Sequence, residues 1–101
     1  MLRRGLVIAA LVCAGCGPIE YVSQVTVQAQ HVVNRARDAR AEELAPYEYT
    51  VAVESLHKSR ELAGQARWED ALRFGQDALK YGRDAETRAR AVAARPEEKH
   101  D

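Results

Sequence analysis

"RWEDALRFGQDALKYG", residues 67–82, decides the fold. Trp68, Ala71, Leu72, Gly75, Ala78, Leu79 and Gly82 fall on one face of an α-helix, the spacing of a segment that buries one side against neighbours. Gly75, Ala78 and Gly82 are small, and small residues on a helix face let two backbones approach closely. Working back towards the N-terminus, Pro46 suits the first turn of a helix and disfavours helical geometry in the residue before it. A helix is therefore expected over about 46–66, with Tyr49, Ala52, Val53, Leu56 and Ala63 inward and Gly64 weakening its last turn. Before it, Val22, Val25, Ala29, Val32, Ala36 and Ala39 follow at spacings of 3, 4, 3, 4 and 3. That seam predicts a first helix over about 21–44, with Gln24, Gln28, His31, Arg35 and Asp38 on its other faces. The last helix is expected over about 67–92, before a charged tail, 94–101, in which Pro96 precedes five charged or titratable residues.

Short connections between such helices force antiparallel neighbours. The fold expected is all-α, an up-down-up arrangement of three helices in one domain, residues 21–93, whose second and third helices make the firmest hairpin. At 101 residues the chain is long enough for one small core. Lys plus Arg and Asp plus Glu balance at 15 each, so no net electrostatic pull towards nucleic acid or an anionic surface is expected.

The N-terminus carries a different signal. In "MLRRGLVIAALVCAGC", residues 1–16, Arg3 and Arg4 form a basic region, Leu6–Val12 an apolar one, and Ala14 and Gly15 a small-residue end. That is the layout of a secretion signal. The apolar run is about half the ~20 residues a membrane-spanning helix needs. Ala14-Gly15-Cys16 resembles the end of a bacterial lipobox, in which the cysteine is acylated and becomes the first residue after cleavage. The resemblance implies a signal peptide over 1–15, lipid attachment at Cys16 and a lipidated linker over 16–20. Cys13 stands where the motif usually has an aliphatic residue, and would leave with the signal. A plain secreted chain, or a Cys13/Cys16 redox or metal pair, is the alternative; the pair lacks the βαβ context or the further ligands such sites require. Cleavage before Cys16 leaves residues 16–101 without a second cysteine. Gly17 after the lipidated cysteine implies, by the same resemblance, the periplasmic leaflet of the outer membrane.

Two further resemblances concern the helices. Residues 67–81 are similar to the second helix of a tetratricopeptide repeat, with Trp68 at the aromatic position, Ala71 at the small one, and Ala78 with Leu79 at the closing positions. The helix before it departs from that pattern at Glu48 and Ala52. A solenoid needs about three stacked repeats, and one is present. Residues 43–85 resemble a group of small bacterial lipoproteins built on a domain of unknown function. Their shared features are matched by Ala45–Thr50, by Leu56 with Lys58, and by Trp68 with Ala71. This resemblance implies fold and address and lends no reaction.

Candidate chemistry is sparse. Glu54 and His57 have the Glu-x-x-His spacing of one-face metal ligands, but no second copy accompanies them. Ser23, Ser55 and Ser59 lie in no nucleophile motif. Tyr47, Tyr49, Trp68, Phe74 and Tyr81 are expected to pack rather than to line a ligand site. No catalytic, cofactor or metal residue is assigned, and no nucleic acid or small-molecule substrate is expected. The expectation is a non-enzymatic, lipid-anchored helical module for protein interaction or self-association, with Val22, Val25 and Val32 as the possible interaction face; that first-helix seam leans on the hairpin, on another copy of the chain or on an envelope partner. A structural spacer touching the cell wall is the second reading.

Overall fold

A computed structural model describes the backbone of residues 2–95 and the side chains of residues 19–95. The described chain is helical: α1 is Leu2–Asp38, α2 Ala41–Leu44, α3 Pro46–Gly64 and α4 Trp68–Ala93. No strand occurs among the described residues. The all-α expectation holds, with four helices in place of three.

Contacts fix the directions. On α1 and α4 the paired residues rise together, Val25 against Gly75 and Val32 against Gly82, so these helices run parallel. On α3 and α4 they run opposite, since Ser59 reaches Ala71 while Glu48 reaches Arg88. The long helices thus go up, down and up. α4 is the common partner: its contact with α3 is the most extensive, that with α1 comes next, and α1 touches α3 least. The molecule measures 79 × 24 × 14 Å.

The first long helix ends at Asp38, not near Leu44. Arg40 takes the left-handed conformation, φ 65°, and its N–H donates to the carbonyl of Arg37 at 2.9 Å, which closes the helix. Neither Gly nor Pro marks this break. Its purpose shows in the packing, because the single turn of α2 brings Ala41 and Ala45 onto Ala36, Ala85 and Ala89 in one buried cluster. The break at Pro46 falls where expected, with Pro at the start of α3. α3 ends at Gly64, two residues short of the expected boundary. Here Ala66 is left-handed at φ 59°, its N–H donates to Ala63 at 3.0 Å, and Arg67 donates to Leu62 at 2.9 Å. These two bonds form a Schellman closure with alanine where glycine is usual. Gly64 itself has open space around its Cβ position.

The α1 seam is buried as the spacing predicts, at Val22, Val25, Ala29, Val32 and Ala36, and Val33 joins it. Ala39 is only half-buried. In α3 the inward face is rotated from the expected one: Val53 is exposed, and Ser55, Ser59 and Leu62 join Ala52 and Leu56 inside. A helix packed on two neighbours buries a stripe centred between them, and two serines lie on that stripe. In α4 the buried residues are all small, Ala71, Gly75, Ala78, Gly82, Ala85 and Ala89. Trp68, Leu72 and Leu79 flank the stripe half-buried. Ser59 is sealed completely, and Leu56 and Leu62 on the same helix keep only 4% and 3% of their surface exposed. Cohesion therefore combines close backbone approach along α4 with the dispersion contacts of the leucines and valines that face it.

Candidate functional site

The residues singled out from the sequence fall into two groups. Cys16 belongs to the stretch whose side chains lie outside the described residues, as do Cys13, Gly17 and the side chains of the expected signal. The tail beyond Arg95 also lies outside them. Val22, Val25 and Val32 are described, and they are buried within the chain's own fold. A Cβ placed on Gly75 meets Val25 Cγ1 at 2.8 Å, and one on Gly82 meets Val32 Cγ1 at 2.7 Å. The valines seat in notches that the two glycines leave on α4. Of the neighbours open to that face, the hairpin is the one it takes: a valine seam and a glycine–alanine seam of the same period fit one another.

Polar groups tie the helices together across that core. The hydroxyl of Ser59 donates to the Ala71 carbonyl at 2.6 Å, a buried link between α3 and α4. Arg88 of α4 donates to Glu48 of α3 at 2.8 Å. Arg35 of α1 reaches Glu86 of α4 at 3.3 Å, and Arg90 reaches the other oxygen of Glu86 at 3.0 Å. Arg60 of α3 donates to Gln30 of α1 at 2.8 Å. The Arg88 hydrogen bond holds the Glu48 carboxyl below the usual carboxylate value. At Glu86 partial burial pushes the pKa up, but the hydrogen bonds from Arg90 and Arg35 outweigh it and leave the carboxyl below its usual value. The arginines are exposed while the Glu48 and Glu86 side chains keep only 13% and 19% of their surface open, so each clasp is partly screened and modest.

Glu54 and His57 are exposed on α3. No group of three or more His, Cys, Asp or Glu side chains suited to a metal ion occurs among the described residues. Ser59 is fully buried with its proton committed to Ala71. Among the described residues, a shallow surface depression lies at the α4 N-terminus beside Arg67, Trp68, Glu69 and Asp70. Trp68 and Phe74 pack against the cluster of Val22, Leu62 and Ala71. Tyr49 packs against two clusters at once. Tyr47 stands edge-on to Tyr81, ring centroids 6.4 Å apart, with 67% of its surface exposed.

Sequence reasoning missed the interlocking of α1 with α4. Its signal was available: Val25 and Val32 are separated by the same interval as Gly75 and Gly82. The cross-helix ion pairs had no such signal, because charged residues are spread over every outer face.

No family model matches the chain, and neither the curated proteins nor the solved structures yield a match. Among the described residues no helix is long and apolar enough to cross a membrane.

Proposed function

We propose that this chain is a non-enzymatic lipoprotein of the bacterial envelope, acylated at Cys16 after removal of residues 1–15 and held at the periplasmic leaflet of the outer membrane. The observation that carries the reading is the N-terminal order of Arg3 and Arg4, the apolar Leu6–Val12 and Ala14-Gly15-Cys16. The described residues from Val22 onward supply three buried clusters that join all four helices, which is the domain such an anchor would tether. An anchor of this kind carries more than one acyl chain, and two or more chains are what stable attachment requires at about 0.8 kcal/mol per buried CH₂.

The domain so tethered serves as a helical interaction or accessory module, its α3–α4 hairpin similar to a single tetratricopeptide unit and its architecture that of the small lipoproteins of unknown function. Because the valine seam is spent on α4, a protein partner meets the outward faces, where Val27, Tyr47 and Val53 are exposed. The 26-residue α4, about 39 Å long at 1.5 Å per residue, favours a second reading as a spacer that holds a cell-wall contact away from the membrane.

Replacing Cys16 by Ser tests the anchor. The variant is expected in the soluble envelope fraction and without incorporated palmitate; retention in membranes removes the proposal. Crosslinking in intact cells then separates the two roles. A single protein trapped at near-equal amounts supports the accessory module, and recovery of cell-wall fragments supports the spacer.

A further inference from the structure

The parallel course of α1 and α4 decides which side chains share an end of the bundle. Val22 of α1 clusters with Leu62 and Ala71, and Trp68 packs against them. Ile19 stands one turn before Val22 on α1, as Trp68 stands one turn before Ala71 on α4. Both therefore belong to the same end, together with the α3–α4 turn. The two ends differ in finish. The far end is closed by the fully buried Ala36, Ala41, Ala45, Ala85 and Ala89. The near end leaves Ile19 47% and Tyr21 52% exposed, with Trp68 half-buried and Arg67 exposed.

We infer that this near end is a membrane-docking surface, which seats on the headgroup layer of the phospholipid bilayer and stands the bundle on its α3–α4 turn. The inference rests on acylation of Cys16. Only Gly17 and Pro18 separate Cys16 from Ile19, and the three residue steps between them, even fully extended, span at most about 11 Å. The headgroup layer on one side of a bilayer is itself on the order of 5–8 Å thick. A chain anchored at Cys16 has no slack to lift the Ile19 and Trp68 end clear of the lipid. The residues at that end suit the position: Trp and Tyr favour the interface, where an apolar ring and a polar edge are both satisfied. Arg67 at the same end has its guanidinium paired with Asp70, so its charge is not free to draw phosphate. Net charge is not the attraction, since Glu20, Glu69 and Asp70 lie at the same end. The contact is apolar and aromatic.

Trp68 is the chain's only tryptophan and so reports this contact directly. The lipidated protein is reconstituted into phosphatidylethanolamine–phosphatidylglycerol vesicles, with and without dibrominated phosphatidylcholine, and the same preparation is analysed by mass spectrometry at its N-terminus. Expected is acylated Cys16 together with a loss of Trp68 emission in the brominated vesicles only. A variant carrying Tyr47→Trp and Trp68→Phe moves the probe towards the far end, and its emission is expected to be unaffected. Acylated protein whose Trp68 emission is the same in both vesicles overturns the docking surface and leaves the anchor standing. Equal quenching of the two probes overturns end-on seating. An unacylated Cys16 removes the anchor, and the docking surface with it.

Discussion

Gly82→Ala sets two known effects against each other. Alanine is favoured over glycine inside a helix by about 1 kcal/mol, so on propensity alone the change stabilises α4. The packing opposes it. The added Cβ lands 2.7 Å from Val32 Cγ1, 3.5 Å from Val32 Cβ and 3.7 Å from the Val32 carbonyl carbon. Carbon atoms sit comfortably at about 3.5–4.0 Å, so one methyl must move by roughly an ångström. Valine in a helix has one strongly preferred χ1 rotamer and does not swing aside without strain. Overpacking of this kind costs about 1–3 kcal/mol, and the net expectation is a loss of up to about 2 kcal/mol once the propensity gain is subtracted. Val32→Ala removes two methyl groups and opens a gap, at roughly 2 kcal/mol. In the double variant the new methyl faces vacated space, so the two losses do not add; the coupling is expected at about 1–2 kcal/mol in favour of the pair. Equilibrium urea unfolding followed by far-ultraviolet circular dichroism measures all four corners of the cycle. Additive losses, or a Gly82→Ala variant more stable than the parent, would refute the notch.

The same chemistry gives three further expectations. Ala66→Gly relieves a left-handed alanine, which costs about 1–2 kcal/mol, against glycine's greater loss of chain entropy; a gain of up to about 1 kcal/mol in the urea titration is expected, and no gain counts against the Schellman closure. Ser59→Ala removes the buried hydroxyl bond to Ala71 and is expected to cost about 1 kcal/mol, read as a fall in melting temperature of about 4–8 °C. The carboxyls of Glu48 and Glu86 titrate below their ordinary 4.5 in the folded chain, so the unfolded chain binds more protons there. Their contribution is fully present above the ordinary value and is lost as pH falls through the lowered one. Arg88→Gln is expected to flatten the acid end of the stability profile below that ordinary value. High salt should do the same to both pairs, and an unchanged slope in either condition removes the ion pairs from the account.

The helical class, the seam of α1, the start of α3 and the hairpin were legible because each has a local cause: a period, a proline, a short connection. The break at Arg40 was not, because "DARA", residues 38–41, contains no helix breaker. The left-handed turn there is imposed from outside, by the burial of Ala41 and Ala45 against α4. Val53 was misplaced for a related reason. Apolar character alone pointed it inward, whereas the stripe that α3 buries is set by where α1 and α4 lie, and serine is small enough to fit their approach. Of the candidate site, the exposure of Glu54 and His57 on α3 was legible, because both lie off the apolar positions of that helix. The fate of Val22, Val25 and Val32 was not, since a seam on one helix does not name the helix that fills it.

Two notches also settle the register of α1 on α4. Val25 and Val32 are seven residues apart, as are Gly75 and Gly82, so a slide of α1 by one heptad preserves the periodic pattern of both helices. It does not preserve the fit. Sliding α1 towards the C-terminus of α4 puts Val25 on Gly82 but Val32 on Ala89; sliding it the other way puts Val32 on Gly75 but Val25 on Trp68. Either slip leaves one valine against a side chain where the native register offers none. It also separates Arg35 from Glu86, at 3.3 Å in the native pairing. Alanine at all six buried positions of α4 would make a stripe with better helix propensity and no preferred register. The two glycines weaken α4 locally by about 1 kcal/mol each and in return exclude the alternatives, the same exchange of stability for specificity that polar residues make in coiled-coil cores.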